Sequence, residues 1–136
     1  MAGAVLNEKL ESLRRCIQRV EATCPDSAQQ LAENIDAQDI VTLNLTRAIQ
    51  LTVDIGNHAL SATEQPAPTT MGETFRLMQQ AGMIDSELAD RLQRAVGFRN
   101  IAIHSYRDVD WRIVHSICTD RLEDFRDFAR ITASIQ

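Results

Sequence analysis

Four polar side chains interrupt an apolar segment in the second half of the chain: Arg99, Asn100, His104 and Tyr106. A helix would place Asn100 and His104 on one face, because they are four residues apart. Arg99 precedes His104 by five residues, about 140° around an ideal helix, yet a long arginine side chain can still reach a shared pocket. The segment therefore predicts a cluster of ionisable groups near one end of a helix.

These residue types can cleave RNA without a metal ion. The imidazole of His104 can remove the proton from a ribose 2′-OH, or protonate the leaving 5′-oxygen, near neutral pH. The guanidinium of Arg99 can hold a phosphate and offset the charge that grows on it in the transition state. One histidine cannot easily be both acid and base, so a dimer uniting two copies of the cluster would complete the chemistry. The spacing alone also fits a structural role, with His104 as a packing or capping residue and Arg99 as a surface charge.

The net charge of −5 argues against binding nucleic acid through the whole surface. Residues 91–112 hold five arginines and two aspartates, a balance of +3, so the rest of the chain carries −8. Positive charge is thus concentrated around the motif. Arg14 and Arg15, by contrast, are interpreted as part of a solvated helix face without a function.

Length and composition favour a single helical domain over residues 1–136. Aromatic residues make up only 4% of the chain, whereas strand-rich folds lean on aromatic and β-branched residues. The three cysteines are odd in number and none forms a C-x-x-C pair, so we expect neither a disulfide framework nor a zinc site. Residues 1–10 lack the apolar core of a signal peptide, and no apolar run is long enough to span a bilayer. A cytoplasmic protein is therefore expected.

The elements that must position the motif are helices. Apolar residues recur at three- and four-residue steps through five segments, at about 5–22, 36–62, 70–81, 86–103 and 111–135. Asp36 is the predicted N-cap of the second segment, and Thr70 with Glu73 fits a capping box at the third. Asp85 or Ser86 would cap the fourth. The pattern predicts an all-α, up-and-down bundle of about five helices, whose apolar faces are buried internally or shared with a second copy.

Other polar and aromatic residues are weaker candidates. His58 on the second predicted helix is interpreted as a core histidine. Asp54 and Arg47 on the same helix either form a buried polar pair or help to shape the cleft. Trp111 either packs in the core or an interface, or contacts a base at the mouth of the cleft. His115 is expected to be exposed.

Residues 97–106 resemble the signature of HepT-like HEPN ribonucleases: Arg, a polar residue that is often Asn, three further residues, His, any residue, Tyr. Arg99, Asn100, His104 and Tyr106 occupy every fixed position of that pattern. Segments 43–47 and 54–58 are similar to the family's second helix, and segments 82–85 and 122–125 are similar to further parts of the family. The resemblance extends from about residue 6 to residue 128.

The resemblance implies a helical homodimer, in which two motifs face each other across a cleft and cleave cellular RNA without metal or cofactor. It implies Arg99 and His104 as the catalytic pair and Asn100 as the residue that orients the site. HepT-like toxins belong to type VII toxin–antitoxin systems, in which an MntA-like nucleotidyltransferase antitoxin AMPylates the motif tyrosine, here Tyr106. A bulky anionic nucleotide at that position would block the cleft and repel RNA phosphate.

Two alternatives to the ribonuclease interpretation remain open at this point. Some HEPN-like proteins resemble non-catalytic, substrate-binding partner subunits of nucleotidyltransferases. A purely structural helical dimer is the other possibility. The intact pair of Arg99 and His104 favours the enzyme, because a scaffold has no reason to carry both groups.

Overall fold

The computed structural model describes residues 2–135, and within that range every regular element is helical and there is no strand. The predicted all-α helical fold is confirmed. Its elements are α1 (Ala2–Thr23), α2 (Ala28–Ala32), α3 (Ile35–Leu60), α4 (Met71–Gln80), α5 (Ser86–His104), a 3₁₀ turn (Tyr106–Asp108), α6 (Trp111–Ser116), a π turn (Ile117–Arg121) and α7 (Leu122–Ala133).

The five predicted segments correspond to α1, α3, α4, α5 and the run from α6 to α7. A π turn divides the last of these, where the predicted pattern indicated one uninterrupted helix. The short helix α2 was not predicted. A capping box between Ser27 and Gln30 holds this helix. Because it spans only five residues, it is too short to show a periodic apolar face.

The capping predictions are right at two helices and wrong at one. Thr70 Oγ1 accepts from the backbone N–H of Glu73 at 3.2 Å, and Asp85 Oδ1 accepts from that of Leu88 at 2.8 Å. Helix α3 instead begins after Asn34, the side chain of which accepts from the N–H of Ala37 at 3.0 Å.

Asp36 is therefore not the N-cap of α3 but lies in its first turn. A negative side chain is still favourable there, because the N-terminal end of a helix is positive. The capping box at α4 also differs from the prediction. The carboxylate of Glu73 accepts from the backbone N–H of Thr69, at 3.1 Å, rather than from Thr70.

The bundle is organised around α3, which packs against α1, α4, α5 and α7. Gly56 allows α3 to approach α4 closely, since an added Cβ would lie 2.7 Å from Thr74 Cγ2 and 3.0 Å from Met78 Sδ. Phe75 of α4 and Phe128 of α7 meet edge to face beside it, with ring centroids 6.0 Å apart. The buried apolar residues form one continuous core, which fixes α3 and α5 relative to each other.

All three thiols are free: Cys16 and Cys118 are buried and Cys24 is half-buried. Burial raises the pKa of the Cys118 thiol far above its ordinary value, so this group is a small apolar core residue at neutral pH. Among residues 2–135, no three His, Cys, Asp or Glu side chains are grouped so that they could hold a metal ion. Over the same range, none of the helices combines the length and apolarity required to traverse a lipid bilayer.

Candidate active site

The motif residues lie at the C-terminal end of α5 and in the turn that follows. Arg99 and Asn100 belong to the last turns of α5, and His104 is its final residue. The backbone N–H of Ser105 donates to the carbonyl of Ile101 at 2.8 Å and ends the helix. Tyr106 then begins the 3₁₀ turn. Eight consecutive residues thus present an arginine, an amide, an imidazole and a phenol at one end of the bundle.

Arg99 is held in place from two sides. Its Nη2 donates to Gln50 Oε1 of α3 at 3.1 Å, and its Nη1 donates to Asn100 Oδ1 at 3.3 Å. Gln50 is itself fixed, because its Nε2 donates to Asp54 Oδ1 at 3.0 Å. Arg99 Nε is buried and has no acceptor among the described residues. A guanidinium has five N–H donors, and these contacts use one hydrogen on each Nη. Arg99 is therefore oriented by protein contacts and keeps the second hydrogen of each Nη for a further ligand.

His104 and Asn100 are both exposed. Across residues 2–135, the His104 imidazole has no hydrogen bond or ion pair. The Asn100 side chain makes one hydrogen bond, in which its Oδ1 accepts from Arg99 Nη1. The imidazole is therefore free to meet a substrate or a second protein chain.

Tyr106 is 43% exposed and is oriented by two neighbours. Its phenol donates to Asp39 Oδ1 at 3.3 Å, and its ring meets Trp111 edge to face at 6.0 Å. Partial burial raises the pKa of Tyr106; the hydroxyl of Thr42 opposes this rise, and the negative charge and hydrogen bond of Asp39 add to it. The phenol is accordingly protonated at neutral pH, accessible and held in one orientation.

The contacts around α3 differ from the sequence interpretation. Asp54 bonds Gln50 and lies 3.8 Å from Lys9 Nζ, so the predicted buried pair of Asp54 with Arg47 is wrong. Arg47 is exposed. His58 is half-buried in the last turn of α3 and lines a small cavity against the end of α7, away from the motif.

His115 was expected to be exposed, and this prediction is wrong. It is half-buried, and its Nε2 lies 2.9 Å from the carbonyl oxygen of Pro25. The reason is tertiary, because the segment around α2 packs against α6. Trp111 is half-buried against the core, where it supports the Tyr106 ring.

Two residues of the site were not predicted. Gln50 orients Arg99 across 49 residues of sequence, and Asp39 holds Tyr106 across 67. Both lie on α3, and their distance in sequence from the motif is the reason that no local pattern indicates them. The sequence indicates only that Gln50 lies one turn before Asp54, so that two polar side chains share one face of that helix.

The helical bundle and the arginine–histidine motif at the end of α5 define a HEPN-type protein. The family model described as "Ribonuclease HepT-like" matches residues 13–131. The chain belongs to this HepT-like ribonuclease family, which confirms the resemblance found in its motif.

Relatives and solved structures agree with this assignment. The chain is 33% identical over 124 residues to the mRNA nuclease HepT of Shewanella oneidensis, covering 91% of this chain and 92% of the relative. It is 23% identical over 126 residues to the tRNA nuclease HepT of Aphanizomenon flos-aquae, covering 93% and 86%. It is similar to a solved structure of tri-AMPylated Shewanella oneidensis HEPN toxin in complex with MNT antitoxin, with a TM-score of 0.89 and 32% identity over 96% of this chain and 97% of that one.

Proposed function

We propose that the chain is a metal-independent endoribonuclease toxin of a type VII toxin–antitoxin system, acting on cellular RNA in the cytoplasm. Arg99 and His104 are its catalytic pair, and Asn100 is the positioning residue. The observation that carries the proposal is the Arg99 guanidinium, which is fixed by Gln50 with donors to spare, at the same helix end as an exposed imidazole. The nuclease names of the two HepT relatives support it.

The chemistry is a transesterification. The His104 imidazole takes the proton of a ribose 2′-OH, the 2′-oxygen attacks the adjacent phosphorus, and the bond from phosphorus to the 5′-oxygen breaks. A second imidazole protonates that leaving oxygen. Arg99 holds the non-bridging oxygens and offsets their growing charge. The products are a 2′,3′-cyclic phosphate and a free 5′-hydroxyl.

The second imidazole comes from a second copy of the chain. Ile101 and Ile103, which lie between Asn100 and His104 within the motif, are 46% and 49% exposed, which is costly for aliphatic side chains in water. A homodimer that covers them also brings two copies of His104 to one cleft. The exposure of His104 and the absence of a bonding partner in the described chain agree with such a composite site.

Silencing acts through Tyr106. A nucleotidyltransferase antitoxin would transfer AMP from ATP: a base takes the phenol proton, the phenol oxygen attacks the α-phosphorus, and the bond from that phosphorus to the pyrophosphate leaving group breaks. The accessible phenol, oriented by Asp39 and Trp111, supports this assignment, as does the AMPylated toxin in the complex with MNT antitoxin. The attached nucleotide adds negative charge two residues from His104, where it repels RNA phosphate.

The proposal is tested with the purified full chain and total cellular RNA in excess EDTA. Wild type is expected to cleave, whereas His104→Ala and Arg99→Ala are expected to lose cleavage with unchanged circular dichroism. Arg76→Ala, a surface arginine of α4 paired with Glu73, is the matched control and should cleave normally.

The alternative is a non-catalytic partner subunit of a nucleotidyltransferase. It is supported instead if no protein cleaves RNA although wild type is folded and its Tyr106 is unmodified by mass spectrometry.

A further inference from the structure

An open groove of about 670 Å³ runs between α1 and α3, outside the motif. Helix α1 contributes one wall and α3 the other. The lining residues are Ser12, Arg15, Cys16, Arg19, Ile40, Leu43, Asn44, Arg47, Gln50 and Leu51. None of them is acidic.

Three arginines line this groove without a compensating charge: Arg15, Arg19 and Arg47. In the part of the chain that the structure describes, no carboxylate lies within 4.0 Å of any of them. Arg14, by contrast, is next to Arg15 in sequence but on another face of α1, where it pairs with Glu11 at 3.5 Å. A concentration of uncompensated charge in a chain of net charge −5 indicates an anionic ligand.

The arginines of a second cavity, of about 540 Å³ between α5 and the run from α6 to α7, are mostly paired. Arg91 lies 2.9 Å from Asp124, and Arg112 lies 3.1 Å from Asp110. The basic run at residues 91–112 is therefore largely neutralised by neighbouring carboxylates. The groove between α1 and α3, in contrast, brings together three guanidiniums that are unpaired within the described part of the chain.

The groove leads to the candidate active site. Gln50 lines it and also accepts the hydrogen bond from Arg99 at 3.1 Å. Arg47 precedes Gln50 by three residues, about 4.5 Å along the helix axis at 1.5 Å per residue. Leu43, which is 50% exposed and precedes Arg47 by about one helical turn, adds an apolar surface to the groove. A strand bound in the groove would thus continue towards the Arg99 guanidinium.

We propose that Arg15, Arg19 and Arg47 form an RNA-backbone site that holds the substrate strand beside the phosphate bound by Arg99. The proposal rests on the ribonuclease function given above and names its substrate as single-stranded RNA. Guanidinium groups bind phosphate through paired hydrogen bonds, and the exposed Leu43 in the same groove offers apolar contact to an unpaired base. The groove arginines supply affinity and strand direction, and the motif supplies the chemistry.

The test measures binding and cleavage separately. Anisotropy of a fluorescent single-stranded RNA gives Kd against salt for the inactive His104→Ala protein, with and without the triple change Arg15→Ala, Arg19→Ala and Arg47→Ala. Loss of three phosphate contacts should make the log Kd against log salt slope shallower by about 2, at roughly 0.7 per phosphate for single strands. In the otherwise wild-type protein, the triple change should raise KM at least tenfold and leave kcat within about twofold. Arg14→Ala is the matched control and should match wild type in both assays.

Each other outcome has a definite meaning. If wild type cleaves RNA and the triple variant keeps the same Kd, salt slope and KM, the groove proposal is overturned and the ribonuclease function stands. If wild type does not cleave RNA, the proposed function fails, and the binding assay alone then decides whether the groove holds RNA. A triple variant that binds RNA normally but no longer binds the nucleotidyltransferase antitoxin would assign the groove to a protein partner and overturn the proposal. All three side chains are exposed, so the triple variant should fold, which circular dichroism checks.

Discussion

Removal of the Gln50 side chain tests how Arg99 is oriented. In the change Gln50→Ala, the Arg99 Nη2 loses its acceptor at 3.1 Å. The remaining side-chain bond of Arg99 runs to Asn100, its neighbour on the same helix, and does not tie it to α3. The guanidinium keeps its charge but gains rotational freedom, so the change separates positioning from charge.

The size of the effect follows from the bond that is lost. A hydrogen bond to a charged group contributes about 1.5–3 kcal/mol, and the half-buried setting of Arg99 favours the lower end. If the bond stabilises the transition state by this free energy, its loss slows the reaction about tenfold, because about 1.4 kcal/mol corresponds to a tenfold change in rate. Gln50→Ala should therefore lower kcat/KM roughly tenfold, mainly through kcat.

The assay is steady-state cleavage of a fluorescent RNA oligonucleotide in EDTA. Gln93→Ala on α5, an exposed glutamine, is the control and should match wild type. The positioning argument fails if Gln50→Ala stays within twofold of wild-type kcat/KM while Arg99→Ala is strongly impaired. An equal loss in Gln93→Ala would mean that the effect is not specific to the contact with Arg99.

Two further predictions concern packing and titration. Gly56→Ala should destabilise the fold by about 1–3 kcal/mol, because its Cβ would lie 2.7 Å from Thr74. Gly97→Ala should stabilise the fold by about 0.5–1 kcal/mol, because the space around Gly97 is open. Urea unfolding measures both free energies, and the reverse order of stability would contradict the prediction. Asp39→Asn should lower the pKa of Tyr106 towards its ordinary value, because a negative charge beside the phenol is removed. Tyr106 is the only tyrosine of the chain, so phenolate absorbance reports it alone, and an unchanged titration would exclude the Asp39 contact.

The longer helices could be predicted from the sequence because their apolar periodicity is a local pattern, whereas the five-residue α2 could not. The capping box of Thr70 with Glu73 indicates the cap of α4, and Asp85 or Ser86 is the predicted cap of α5; Thr70 and Asp85 do accept the backbone N–H groups. The same logic failed at α3, where Asn34 and Asp36 are both suitable caps and only two residues apart. The choice between them depends on where α2 ends, which the local sequence does not specify.

The catalytic candidates could be predicted for the same reason. Arg99, Asn100, His104 and Tyr106 lie within eight residues, so one helix end must present them together. Their supports could not be predicted, since contacts such as that of Arg99 with Gln50 require α3 to pack against α5.

Charge patterning along the chain was only partly informative. Residues 91–112 carry an excess of arginine, but Arg94 and Arg112 pair with nearby aspartates, and folding places Asp124 beside Arg91. The uncompensated arginines between α1 and α3 come from segments that are unremarkable in sequence, such as the one around Arg15. The pairing of Arg91 with Asp124 and the gathering of arginines from α1 and α3 in one groove both depend on tertiary packing, which a count along the sequence does not record.

The central claim is that His104 and Arg99 cleave RNA by transesterification without a metal ion. It is tested most directly by the chemical ends of RNA cut by the purified chain in EDTA, with His104→Ala beside it. Wild type should produce 2′,3′-cyclic phosphate and 5′-hydroxyl ends, and His104→Ala should produce no new ends. Ends bearing a 5′-phosphate, cleavage only when a divalent metal is added, or equal cleavage by His104→Ala would contradict it.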